Sequence, residues 1–155
     1  MPWQKTFRLP YHKKGMHLVT RDVVRECEEG LRGVEVGIFT LNCLHTSAGL
    51  TVNENADPSV RTDMDMALDR IVPESFPWEH TDEGPDDSVS HLKTSLVGNS
   101  ITLPISRGKL VLGTWQGIYL AEFRYSGNGW AGHGEGRKVV ATILPELWYR
   151  HSCFL

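Results

Sequence analysis

The chain has 155 residues, 40% of them hydrophobic and 23% charged, with a formal net charge of −3 when histidine is neutral. That is enough for one domain with a real core and too little for two comfortable ones. Basic residues are scattered, with Lys13-Lys14 and Arg137-Lys138 the only adjacent pairs, so there is no phosphate-tracking stripe and nucleic acid is not an expected partner.

In chain order, Trp3 to Leu9 alternates weakly before Pro10 and suits an opening strand. Thr20 is placed to cap a helix from about Arg21 to Leu31, with Val23, Val24, Cys27 and Leu31 on one stripe and Gly30 and Gly33 as its stop. Val34 to Leu44 is short, β-forming and apolar almost throughout, as a buried strand is. His45 to Gly49 is then a turn at a strand end, and Leu50 to Val52 a short second strand. Asp57-Pro58 is a strong helix start, and that helix should run to about Ile71. Met64, Leu68 and Ile71 fall on its core face, Val60 at its leading edge, and Asp63, Asp65 and Asp69 mainly outward. A third helix is expected from Ser88 to Val97, capped by Asp87 and ended by Gly98. On it, Asp87, His91 and Ser95 share a face, while Lys93 projects elsewhere, toward solvent or a neighbouring subunit.

The remainder reads as antiparallel sheet: Ile101 to Ile105, an Arg107-Gly108 hairpin turn, Lys109 to Leu112, Gly117 to Tyr125 and Lys138 to Leu144. The glycine-rich stretch 126–136 lies between strands and opens no helix, so a hairpin loop is expected rather than a phosphate cradle. The order predicts a single α+β domain, with about three helices packed on a mostly antiparallel sheet. No apolar segment approaches the length of a membrane span, and no membrane partner is expected. The N-terminus lacks the pattern of a secretory signal. Cys27, Cys43 and Cys153 are odd in number and never spaced as CxxC, which argues for reduced thiols and a cytoplasmic location.

Three polar constellations stand out. His80 and His91 bracket ten residues that include Asp82, Glu83, Asp86 and Asp87 and a Gly84-Pro85 turn. Such a segment is too charged for a core; it reads either as a solvated acidic loop with two surface histidines or as a source of the imidazoles and carboxylates that acid–base or metal chemistry needs. The second runs from His45-Thr46-Ser47 through Asn53-Glu54-Asn55 to Asp57, where a strand ends and a helix begins. Each of its members alone has an ordinary structural role, in a turn, a cap or a core; jointly they favour a site. The third is Gly113-Thr114-Trp115-Gln116-Gly117, followed by Glu122 and Arg124 on the strand face of Ile118 and Leu120. Inward charges of this kind require partners. One option is a structural Glu–Arg pair; the other has Glu122 holding a histidine while Arg124 meets an anionic ligand.

These motifs, His45-Thr46-Ser47-Ala48-Gly49, Asn53 to Pro58, His80…Glu83-Gly84…Asp86-Asp87…His91 and Gly113 to Gly117, occur in the same order in the YjbQ family, which the chain resembles over roughly residues 5–145. Members of that family are described as secondary thiamine-phosphate synthase enzymes. The resemblance implies a compact α+β subunit in a homotrimer, with sites close to subunit boundaries. It also implies a supporting activity that joins hydroxymethylpyrimidine diphosphate to thiazole phosphate with release of pyrophosphate. The 126–136 loop looks longer than is usual in the family, and the tail 146–155 matches no motif.

Displacing so anionic a leaving group requires donors and usually a divalent metal. On the resemblance, His45, His80, His91, Glu54 and Asp86 are the catalytic candidates. Asp86, Asp87 and Glu54 offer Mg²⁺ oxygen ligands, and Lys93, Arg124 and Arg137 offer positive charge. Thr46, Ser47, Asn53, Asn55, Ser95 and Gln116 are candidates for binding a small phosphorylated or heterocyclic ligand, and Trp115 or Trp78 for stacking on it. A rival reading is a hydrolase with zinc on His45, His80 and His91 and Glu54 or Asp86 as base. A third is a trimeric small-molecule or metal-binding protein without catalysis. His45, His80 and His91 are expected in one pocket, with His12, His17, His133 and His151 elsewhere.

Overall fold

The computed structural model describes residues 1–126 and 134–146. Along the chain lie β1 (Trp3–Arg8), β2 (Gly15–Leu18), α1 (Thr20–Leu31), β3 (Val36–Cys43), β4 (Ala48–Glu54), α2 (Pro58–Ile71), α3 (Asp87–Val97), β5 (Ser100–Ser106), β6 (Lys109–Leu110), β7 (Gln116–Glu122) and β8 (Lys138–Pro145). The α+β class with antiparallel pairing is as expected. The strands divide into two sheets, ordered β1-β8-β3-β5-β6 and β2-β7-β4.

The division follows from burial. On β3 and β8, Phe39, Leu41, Cys43, Val139, Ala141 and Ile143 alternate inward and are essentially inaccessible. They meet Leu50 of β4, Ile118 and Leu120 of β7, and Val23, Cys27 and Leu31 of α1 in one core. The other face of the small sheet carries Met16, Tyr119, Ala121 and Phe123 under Met64 and Leu68 of α2 and Val97 of α3. β7 is therefore buried on both faces, which is why its sequence is apolar almost throughout. Glu122 sits on the Ile118 and Leu120 face as expected, but the strand ends there, and Arg124 lies beyond it.

Local chemistry sets the helix ends. The Asp57 carboxylate accepts from Ser59 N–H at 2.8 Å with Pro58 as first helical residue, the expected cap. Thr20 is itself helical, and its Oγ1 accepts from Ile118 N–H at 2.8 Å, tying α1 to β7 instead of capping. Gly30 packs rather than stops: a Cβ there would lie 2.3 Å from the Trp3 ring. Val24 and Ile71, expected to face the core, are exposed, and α2 buries no residue fully. β2 had no sequence signal, because four residues show no periodicity and its order comes from pairing with β7. Among the described residues no helix is long and apolar enough to cross a membrane.

The junction of α3 and β5 wedges between β3 and β4. Gly98 O accepts from Leu50 N–H at 2.9 Å, and Asn99 O from Cys43 N–H at 2.7 Å. Gly49 permits this approach, since a Cβ there would lie 2.7 Å from Gly98 O. The turn carrying His45, Thr46 and Ser47 is thereby fixed against the helix carrying His91.

Candidate active site

Asp87, the first residue of α3, is 1% exposed, and polar groups surround its carboxylate. Oδ1 accepts from Arg124 Nη1 at 3.0 Å and lies 3.2 Å from His91 Nε2. Oδ2 accepts from Glu83 N–H at 3.1 Å and lies 3.3 Å from His80 Nε2. Burial opposes the Asp87 anion, but the Glu83 N–H, with His80, Arg124 and His91, outweighs it and holds the carboxyl below its ordinary value. The expected role of Asp87 as a side-chain cap is corrected: Asp86 occupies the cap position, and neither residue makes a side-chain capping bond. The sequence offered Asp87 as a cap and as an Mg²⁺ oxygen ligand but not its ion pair with Arg124, because helix-start logic reaches only the next turn, whereas Arg124 is 37 residues away.

One donor atom each from His80, Asp87 and His91 lies within 4.8 Å of the others. The His80 and His91 ring centroids are 5.4 Å apart. His91 Nδ1 is 2.9 Å from the Thr46 carbonyl, which only accepts, so Nδ1 carries a proton. His91 Nε2 then faces the Asp87 carboxylate at 3.2 Å, an arrangement that calls for a proton or a metal cation between them. Two imidazoles and one carboxylate suit zinc or a related first-row ion; Mg²⁺ favours an all-oxygen shell. The three-imidazole set expected from the sequence is not the one that converges, because Asp87 stands where His45 was expected.

His45 lines a neighbouring cavity of about 610 Å³ together with Thr46, His91, Thr94, Ser95, Gly98 and Asn99. His91 thus belongs to both the donor cluster and the cavity wall. Ser47 N–H lies 3.2 Å and Ser47 Oγ 2.9 Å from His45 Nδ1. Behind Ser47, Arg137 Nη2 donates to its Oγ at 3.2 Å, and the buried Arg137 is clamped by Glu122, with Nε to Oε2 at 2.6 Å. Of the two roles open to Glu122, the pairing with an arginine is the one found, with Arg137 in place of Arg124, and Glu122 reaches His45 only through Arg137 and Ser47. Desolvation and then the Arg137 charge push the His45 pKa down.

The remaining candidates fall in several places. Ser95 Oγ donates to His91 O at 3.0 Å. Arg124 donates to Glu83 O at 2.8 Å as well as to Asp87, so its guanidinium is committed to holding the loop and carboxylate. Asp86 is buried, and its Oδ2 accepts from Tyr125 N–H at 2.9 Å. Lys93, expected to project outward, is corrected: it is 2% exposed and its Nζ pairs with Asp69 of α2. Glu54 accepts from the Ala56 and Asp57 N–H groups at 3.1 Å, closing the turn into α2. Asn53 accepts from Glu54 N–H, Asn55 donates to Gln116 O, and Gln116 Oε1 accepts from Gly113 N–H. Trp115 beside them is 64% exposed. This second group lies at the far end of β4, roughly 20 Å from the His45 turn at about 3.3 Å per residue. His12 and His17 stack on each other with centroids 4.2 Å apart, and His17 Nε2 contacts Lys13 O. His133, His151, Cys153, most of the 126–136 loop and the tail beyond Glu146 lie outside the described residues.

Fold and site together define a two-sheet α+β protein with a His–Asp–His cluster beside a polar cavity. Residues 5–146 match the family model described as UPF0047 protein YjbQ-like. The chain is 45% identical over 146 residues to the UPF0047 protein YjbQ of Salmonella typhimurium, covering 94% of this chain and all of that one. It is 42% identical over 106 residues to the UPF0047 protein YugU of Bacillus subtilis, covering 66% of this chain and 77% of that protein. A crystal structure of an uncharacterized conserved YjbQ/UPF0047 protein from Clostridium acetobutylicum superimposes with a TM-score of 0.72 at 36% identity, over 92% of this chain and 99% of that one. A YjbQ-like protein of unknown function from Sulfolobus solfataricus shares the fold, with a TM-score of 0.78 at 23% identity over 94% and 99% of the two chains. The chain belongs to the YjbQ/UPF0047 family.

Proposed function

We propose that this protein is a metal-dependent enzyme acting on a small phosphorylated ligand, with its centre at His80, Asp87 and His91. The observation that carries this reading is the geometry of His91. Its Nδ1–H is tied to the Thr46 carbonyl, so Nε2 faces the buried Asp87 carboxylate with His80 completing the set. A zinc-class ion there, when bound, neutralises charge on a leaving diphosphate or polarises a phosphoryl oxygen. Arg124 and the Glu83 N–H hold the Asp87 carboxylate in place, as groups supporting a metal ligand do.

The reaction we assign is the one the family resemblance implies: thiazole phosphate nitrogen displaces pyrophosphate from hydroxymethylpyrimidine diphosphate. His45, Thr46 and Asn99 in the cavity wall offer hydrogen-bond donors for the phosphoryl oxygens. We assign the protein to a homotrimer, in which Asn53, Asn55, Trp115 and Gln116 at the far end of β4 meet a neighbouring subunit. The buried free thiols of Cys27 and Cys43 suit the reducing cytoplasm.

The second reading, hydrolysis by a metal-activated water, is favoured by a donor set of three among the described residues, which leaves coordination positions open. It ranks second because its expected bases are engaged, Asp86 by Tyr125 N–H and Glu54 by its own turn. Metal analysis of untagged protein, followed by assay with both thiamine precursors, separates these readings. Stoichiometric zinc with zinc-dependent thiamine phosphate formation supports the first. Zinc with phosphate-ester hydrolysis and no coupling supports the second. Zinc without turnover leaves a metal-binding protein, and absence of any bound metal after zinc loading overturns the centre itself.

A further inference from the structure

We propose that His45 is a neutral hydrogen-bond donor whose Nε2–H holds an anionic phosphoryl oxygen of the ligand in the cavity beside His91, with Ser47 and Arg137 as its positioning residues. This deepens the preceding reading and rests on it only in placing a metal-held ligand next to that cavity.

The tautomer follows from donor–acceptor accounting. A backbone N–H only donates, so the 3.2 Å contact from Ser47 N–H makes His45 Nδ1 an acceptor. Ser47 Oγ accepts from Arg137 Nη2 and so keeps its own hydrogen for Nδ1 at 2.9 Å. The sequence of donors runs one way, from guanidinium to hydroxyl to imidazole, and each bond polarises the next. Neutral His45 must then carry its proton on Nε2, which has no hydrogen-bond partner among the described residues. Protonating Nδ1 would set an N–H against two donors, consistent with the lowered His45 pKa.

The cavity makes that donor matter. Thr94 Oγ1 donates to Ser90 O at 2.8 Å and Ser95 Oγ donates to His91 O at 3.0 Å, so both hydroxyl hydrogens are engaged within α3. His91 Nδ1–H is engaged by Thr46 O. Among the described residues, the side-chain donors left to the cavity are the His45 Nε2–H, the Thr46 hydroxyl and the Asn99 amide, and no carboxylate, lysine or arginine lines it. A wall of uncharged donors beside a set of metal-ligating groups suits an oxyanion whose charge a bound metal would share, and His45 would hold it without needing to be protonated.

The test uses the full-length protein, zinc-free and loaded with stoichiometric zinc, with inorganic pyrophosphate as probe. Long-range ¹H–¹⁵N NMR of the histidine rings should show His45 as the Nε2–H tautomer. Calorimetry should show pyrophosphate binding that weakens about tenfold or more in His45→Ala, as loss of a hydrogen bond to a charged group does. Zinc stoichiometry should be unchanged in that variant. His45→Gln, which retains an amide donor, should recover part of the affinity. Ser47→Ala keeps the backbone N–H but breaks the link to Arg137, and the His45 tautomer signature should shift toward Nδ1–H, a change that a purely structural role would not produce. An Nδ1–H tautomer in the wild type, no pyrophosphate binding, or His45→Ala binding within about twofold of wild type overturns the proposal. Loss of zinc in His45→Ala also overturns it, by making His45 a ligand. Failure of the wild type to take up zinc defeats the metal centre alone, and His45 is then judged by its tautomer and by pyrophosphate binding to the zinc-free protein.

Discussion

Asp87→Asn preserves shape while removing the charge that His80, His91 and Arg124 share. Removing one partner of a buried ion pair costs about 3–5 kcal/mol when the other charge is left alone. Arg124 is not left alone: it keeps the Glu83 carbonyl at 2.8 Å and the Asp86 carboxylate at 3.5 Å. The asparagine oxygen also still accepts from Glu83 N–H. We therefore expect a loss of about 2 kcal/mol, or roughly 4–8 °C in melting temperature for a chain of this size. Zinc at a hundred times its Kd should stabilise the wild type by about 2.7 kcal/mol and raise its melting temperature by roughly 5–10 °C. In Asp87→Asn that zinc-induced rise should largely vanish, because a neutral amide is a poor substitute for a carboxylate ligand. Differential scanning fluorimetry with and without zinc measures both effects. A variant that melts lower yet keeps the full zinc-induced rise refutes Asp87 as a ligand and leaves it only the task of anchoring Arg124.

The buried Lys93 and half-exposed Asp69 should respond unequally. Asp69→Ala strands a buried ammonium and should cost about 2–3 kcal/mol, whereas Lys93→Met leaves Asp69 with Lys14 and solvent and should cost less than about 1 kcal/mol in urea melts. Gly136→Ala drives a Cβ to 1.5 Å from Leu9 O, backbone against backbone, so denaturant melts should show a loss of more than about 3 kcal/mol or no folding at all. Burial pushes the Cys27 and Cys43 thiols up to about 12 and about 11, so peptide mapping after iodoacetamide at pH 8 should find both unlabelled until the protein is unfolded. The Asp69 and Asp87 carboxyls sit below their ordinary 3.8 in the folded state. The stability they contribute is complete above that pH and is lost as the pH falls through the lowered values, so Asp87→Asn should flatten the acid limb of a melting profile.

Much of this molecule is written in patterns that need only a few neighbouring residues. The α2 start at Asp57-Pro58, the α3 stop at Gly98 and the alternation of β5 and β8 follow from capping and period, and the structure keeps them. The placement of Glu122 on the face of Ile118 and Leu120 was readable for the same reason. That His80 and His91 share a polar run was readable too. Which carboxylate meets them was not: locally Asp87 reads as a cap, and the return of Arg124 at the end of β7 makes it a buried anion instead. Lys93 likewise looked solvent-bound until α2 brought Asp69 across from 24 residues away. Glu54 and the His45 turn are neighbours in sequence and sit at opposite ends of β4, because an extended strand separates what a helix would have gathered. The link from Arg137 to Ser47 spans 90 residues and exists only because β8 joins the large sheet while β4 joins the small one. Periodicity and capping act within a turn or a strand, whereas these contacts depend on how two sheets pair and stack, which no short stretch of chain specifies.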